Sequence, residues 1–172
     1  MNINVSFTSS IDIKENIGVD ETCIDSLFEE VVCFVLKNEA VKANAEVKKI
    51  LEKGSEKIEA SLYLCDNKEI QELNSKYRNI DRPTDVLSFL MADDNEMLNV
   101  PVLHLGEVII SVEKLVEQAK ENNYSNLEEL VFLITHGVLH LLGMHHDDEQ
   151  KYNTILDIQN RAVQYLVKKV SC

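Results

Sequence analysis

The stretch NLEELVFLITHGVLHLLGMHH, residues 126–146, decides how this chain is read. Up to Leu142 its apolar residues, among them Leu130, Val131, Leu133, Ile134, Val138, Leu139 and Leu141, leave no wide polar face. That is the pattern of a helix buried on all sides. His136 and His140 lie four residues apart on it, about 40° apart in azimuth and about 6 Å apart along the axis, so both imidazoles face one point. Gly143 tolerates positive φ, ends the helix at Leu142 and turns the chain so that His146 brings a third nitrogen. Three imidazoles with a fourth position open form the catalytic arrangement of zinc, whereas structural sites close the shell with four protein ligands, often thiolates. No cysteine lies near the run. His145 adjoins His146 and either competes for the ion or stands beside it, with His146 the preferred ligand.

The other familiar helical zinc motif, H-E-x-x-H, puts a general-base glutamate directly after its first histidine. Here that position is Gly137. A peptidase reading therefore lacks its base. Neutral ligands also leave the ion its full double charge, which favours an anionic substrate such as a phosphodiester.

A chain of 172 residues, 45% apolar, with five glycines and two prolines, reads as one compact domain over residues 1–172. No N-terminal leader pattern and no bilayer-length apolar segment is present, so the expectation is a cytoplasmic protein without a membrane partner. Cys23, Cys33, Cys65 and Cys172 are scattered and form no C-x-x-C pair, which argues for reduced thiols. The net charge of −13 opposes a general electrostatic grip on nucleic acid. Any such role needs a local basic patch, and the best one surrounds Arg78, with Lys68, Lys76 and Arg82, diluted by Glu69, Glu72 and Asp81.

Periodicity fills in the rest. Ile3, Val5 and Phe7 alternate as a first strand, and Asp20 caps a helix carrying Ile24, Leu27, Phe28, Val31, Val32, Val35 and Leu36 inward. A second strand spans residues 58–65, followed by a polar helix over 67–77. Pro83 breaks the chain before a strand at 85–89, residues 93–96 form an acidic loop, and 105–110 form another strand. A charged helix covers 112–122. The last helix runs from about Asp148 to Val167 with Tyr152, Ile155, Leu156, Ala162, Val163 and Leu166 on its packed face.

The run from His136 to His146 resembles the pattern H-G-x-L-H-L-x-G-x-D-H of the YbeY endoribonucleases, bacterial rRNA-maturation factors, with His145 in place of the aspartate. Upstream, Leu73, Asn74, Tyr77 and Arg78, then Arg82, Pro83, Thr84, Asp85, Val86, Leu87, Ser88 and Phe89, resemble the segment around that family's functional arginine. Leu105, Gly106, Glu107, Val108, Ile109, Ile110 and Ser111 are similar to its next strand. The resemblance implies an α+β fold, a small mixed sheet packed against helices on a plan like that of zinc metalloproteases, with the metal site on a buried helix and the loop after it. It implies a zinc-dependent, single-strand-specific endoribonuclease acting in 16S rRNA 3′-end maturation and ribosome quality control, with ribosomal RNA and small-subunit proteins as partners. By position, His136, His140 and His146 hold one zinc ion and Arg78 is the arginine needed for activity.

A guanidinium is permanently charged and binds two phosphate oxygens at once, which suits Arg78 to stabilising a phosphorane. Without the resemblance it reads as an ordinary surface cation. Thr84 reads as a turn residue, Asp85 as a strand start, His104 as a polar residue preceding a strand, and Ser88 as a small inward residue. Two other functions stand beside the nuclease: a zinc peptidase of related architecture, and a non-catalytic ribosome-associated protein with a structural zinc.

Overall fold

The computed structural model describes residues 2–52, 56–91 and 101–169, so the acidic loop expected at 93–96 lies outside the described residues. A four-stranded mixed sheet runs in the order β1 (Asn2–Ser9), β2 (Lys57–Cys65), β4 (Val102–Ser111), β3 (Val86–Leu90). The first three strands are parallel and β3 is antiparallel to β4. Strict alternation in β2 sends Ile58, Ala60, Leu62 and Leu64 to one face, where they are buried. On that face pack α2 (Glu21–Lys37), capped by Asp20 as its sequence predicts, and α7 (Asn126–Leu141). The helix α8 (Glu149–Lys169) lies against both.

On the opposite face, α5 (Asn67–Arg78) covers a smaller cluster of Cys65, Ile70, Leu87 and Ile109, flanked by Tyr63, Leu73 and Phe89. The edge of the Tyr77 ring against Phe89, with centroids 5.1 Å apart, ties the C-terminal end of α5 to β3. The helix α6 (Val112–Asn122) follows β4 directly, capped by Ser111. An α+β fold with a mixed sheet is what the sequence led us to expect.

Three short helices were not expected: α1 (Ile13–Ile17), α3 (Glu39–Ala43) and α4 (Ala45–Leu51). Each is too short for a repeating apolar stripe, and the Asn38 and Asn44 caps, which accept backbone N–H groups of α3 and α4, are the local signal. The fourth strand also starts earlier than expected. His104 lies within it, facing Glu59 across a 3.1 Å contact, rather than preceding it. A register shift opposite Glu59 and Ala60, with Gly106 at φ 133, interrupts the alternation that would have revealed the strand's true start. Tyr152 is a further correction. It was placed on the packed face of α8, yet is 52% exposed, because the first turn of that helix overhangs the histidine loop instead of the core.

Candidate metal centre

The helix α7 begins with a capping box in which Ser125 and Glu128 satisfy each other's backbone N–H groups. It is then pressed onto the sheet at one point. A Cβ added to Gly137 would lie 2.5 and 2.8 Å from the two methyl carbons of Val108 on β4. Beside it, Ser88 Oγ on β3 donates to the Gly137 carbonyl at 3.3 Å, so the small inward residue also holds the helix. With residue 137 locked against the sheet, His136 and His140 emerge along the helix's flank, both half-buried.

The helix ends in a Schellman turn. Gly143 takes φ 78, its N–H donates to the His140 carbonyl at 3.0 Å, and the Met144 N–H donates to the Leu139 carbonyl at 3.0 Å. Met144 is buried in the same cluster as Leu139, which anchors the returning loop. His145 and His146 follow it, both exposed.

One ring nitrogen from each of His136, His140 and His146 lies within 4.8 Å of the others. The Nε2 atoms of His136 and His140 are 2.8 Å apart, a hydrogen-bonding distance between neutral rings. Two nitrogens about 2.05 Å from a tetrahedral zinc stand about 3.3 Å apart, so holding the ion requires these rings to part by about half an ångström. The donor set therefore fits a zinc ion. Burial, with smaller contributions from His136, His145, His146 and Arg78, drives the His140 pKa down to about 3. Burial and the His146 charge lower that of His136 as well. Both rings are neutral at pH 7 with lone pairs available, the state in which imidazole binds metal.

His145 stands apart from the convergent nitrogens. Its Nδ1 lies 2.9 Å from Nδ1 of His140, on the ring edge away from His136. In the tautomer that offers His140 Nε2 to an ion, Nδ1 carries the hydrogen and donates to His145. On the other side, Gln159 of α8 shares a cavity wall with His136 and slightly favours its charged form, while Gln159 Nε2 donates to the Phe132 carbonyl at 3.2 Å.

Arg78 is the last residue of α5, exposed, and followed by Asn79 in the left-handed conformation at φ 58. It touches none of the histidines, yet its charge reaches His140 and disfavours protonation there. Asp85 was read only as a strand start. Its Oδ1 accepts from the Val86 N–H at 2.8 Å and from Thr84 Oγ1 at 3.0 Å, its Oδ2 accepts from Gln118 Nε2 at 3.0 Å, and its negative charge reaches His136. Tyr152 completes the surround, its ring set edge-on to His146 at 6.2 Å between centroids. Nothing in the spacing of Asp85 or Tyr152 marked either, since their nearness to the histidines arises from the packing of α7 against β3 and α8.

Residues 10–167, nearly the whole chain, match the family model described as Endoribonuclease YbeY. The chain belongs to the endoribonuclease YbeY family. An Endoribonuclease YbeY of Carboxydothermus hydrogenoformans is 36% identical over 159 residues, 92% of this chain and 96% of that protein. An Endoribonuclease YbeY of Clostridioides difficile is 48% identical over 93 residues, 54% of this chain and 61% of its own length, a little under two thirds. A solution structure of a Thermotoga maritima protein, 23% identical, covers 97% of this chain at a TM-score of 0.53 and shares its fold. The YbeY match takes in α5, the following strand and the histidine run together.

Proposed function

We propose that this chain is a zinc-dependent endoribonuclease specific for single-stranded RNA, acting in 16S rRNA 3′-end maturation and ribosome quality control in the cytoplasm. Its zinc ligands are His136, His140 and His146, and Arg78 is its catalytic cation. The observation that carries the reading is the convergence of three imidazole nitrogens within 4.8 Å, two of them on rings whose pKa values are lowered. When bound there, a zinc ion supplies Lewis acidity toward a phosphate oxygen. Arg78 orients the phosphodiester and neutralises charge that builds on its oxygens in the transition state. His145 holds the His140 ring in place from its outer edge.

The peptidase alternative is weakened at Gly137, because the general-base carboxylate of H-E-x-x-H would need a Cβ where the methyls of Val108 stand. Ribosomal proteins are the expected recruiters, since a chain of net charge −13 has little long-range attraction for RNA. Metal analysis of the purified protein, paired with cleavage assays on single-stranded RNA for wild type, Arg78→Ala and His140→Ala, tests the proposal. The expected result is about one zinc per chain, RNA cleavage by wild type, and loss of activity in both variants with the fold kept. Peptide cleavage that survives Arg78→Ala, or unfolding of His140→Ala, would replace it with the peptidase or the structural-zinc reading respectively.

A further inference from the structure

The chain has only three arginines among 30 acidic side chains, and they are treated differently by the fold. Arg161 pairs with Asp157 at 3.6 Å. Among the described residues no carboxylate lies within 4.0 Å of Arg78 or Arg82. Both line the same cavity of about 430 Å³, together with Lys114. In so acidic a protein, two guanidinium groups left without counter-charges in one hollow form a local exception to the surrounding field.

The hollow is built, not incidental. Asn79 turns the chain out of α5, the Ile80 N–H returns to the Asn74 carbonyl at 3.3 Å, and Asn74 Nδ2 donates to the Arg82 carbonyl at 2.9 Å. Asn74 is itself buried, so the loop that carries Arg82 is fixed from beneath. Lys114 is already engaged by Glu117, which leaves the arginines as the principal unsatisfied charges. Asp85 also borders the cavity, but both of its oxygens are held by Thr84, Val86 and Gln118.

The Asp85–Gln118 hydrogen bond forms a shared wall. Both residues line this hollow and also a neighbouring cavity of about 540 Å³ that His136 borders. A strand with one phosphate at the histidines crosses that wall to reach Arg82.

We propose that Arg82 anchors a second anion site in this hollow, which binds the phosphodiester next to the one that Arg78 orients at the histidine centre. The site makes grip on the strand depend on a phosphate that is not cleaved. This inference rests on the single-stranded RNA reading above. Its ligand is a backbone phosphate, so it carries no base preference, and a planar guanidinium holds such a group through two oxygens where an ammonium acts as a point charge.

The test is fluorescence anisotropy of zinc-loaded wild type, Arg82→Gln and Arg82→Lys with a 2′-O-methylated single-stranded octamer across a salt series, alongside inorganic phosphate as competitor. Arg82 is exposed, so neither substitution threatens the core. Losing one phosphate contact lowers the steepness of log affinity against log salt by about 0.7 and weakens binding about three- to tenfold at low salt, equally for octamers of different sequence. Arg82→Lys should keep the slope and recover part of the affinity. An unchanged slope and affinity in Arg82→Gln overturns the site, as does a variant effect on inorganic phosphate alone with none on the strand. RNA cleavage by wild type is scored separately: if it cleaves while Arg82→Gln binds as wild type does, the second site falls and the nuclease stands. A wild type that does not cleave, but whose octamer binding depends on Arg82, removes the nuclease and leaves the anion site.

Discussion

Replacing His145 with alanine should loosen zinc while leaving every convergent nitrogen in place. The His145 Nδ1 atom is 2.9 Å from Nδ1 of His140, and a hydrogen donated by His140 across that contact would favour the tautomer whose Nε2 is free to bind an ion. A bound cation polarises that N–H, so the contact is charge-assisted and worth about 1.5–3 kcal/mol, which corresponds to roughly ten- to hundredfold in affinity. His145 is exposed, and water can take over part of its role, which places the expected loss near tenfold. Competition with a chromogenic chelator at pH 7 measures it. His145→Asp supplies an obligate acceptor at the same position and should restore affinity, and nitrogen-15 shifts of the His140 ring should show the Nδ1–H form in wild type and His145→Asp but a mixture in His145→Ala. Equal zinc affinity in wild type and His145→Ala, or a His145→Asp variant as weak as alanine, would refute the reasoning.

Three further outcomes follow from the same geometry. Gly137→Ala puts a methyl against Val108 and should destabilise the protein by about 1–3 kcal/mol of overpacking, less about 1 kcal/mol of gained helix propensity, with Val108→Ala partly compensating in a double-mutant denaturation cycle. Metal-free protein should lose stability as pH falls from about 6.5 toward 3, because the folded state holds His140 near 3 while the unfolded chain takes up a proton near 6.5; His140→Ala should flatten that slope in thermal melts. Removing metal with a chelator should lower the melting midpoint and abolish RNA cleavage together, and restoring zinc should recover both.

The histidine centre was legible because two local codes coincide there. A four-residue spacing fixes His136 and His140 on one flank of α7, and a glycine at the helix end predicts a left-handed turn, observed at Gly143 with φ 78. Apolar stripes located α2 and α8, while α5 and α6 were read from their polar and charged composition over 67–77 and 112–122. Periodicity failed where the stripe had no room to repeat, in α3 and α4, whose fully buried side chains are Val41 and Val47. It failed again where a bulge shifted the period of β4 and hid His104 inside the strand. Asp85, Gln118 and Tyr152 were out of reach for a different reason. Their relation to the histidines is set by how α6, α8 and β3 pack around α7, and no spacing along the chain encodes it.

Gly137 joins the fold to the chemistry. Any side chain there would strike Val108, so the position cannot carry the glutamate that a peptidase on this plan uses as its base, and the helix gains the close approach to β4 that the missing side chain permits. That approach brings the flank of α7 level with the end of β3, where Asp85 stands, and with the cavity wall Asp85 shares with Gln118. Beyond that wall are Arg78 and Arg82. Omitting one carboxylate thus does two things at once: it would leave the charge of a bound ion undiminished, and it lets α7 approach the sheet so that the cavity bordered by His136 shares a wall with the one that Arg78 and Arg82 line. An anion with charge spread over several oxygens would gain from both, whereas a neutral peptide would gain from neither, which is why the proposed substrate is a phosphodiester.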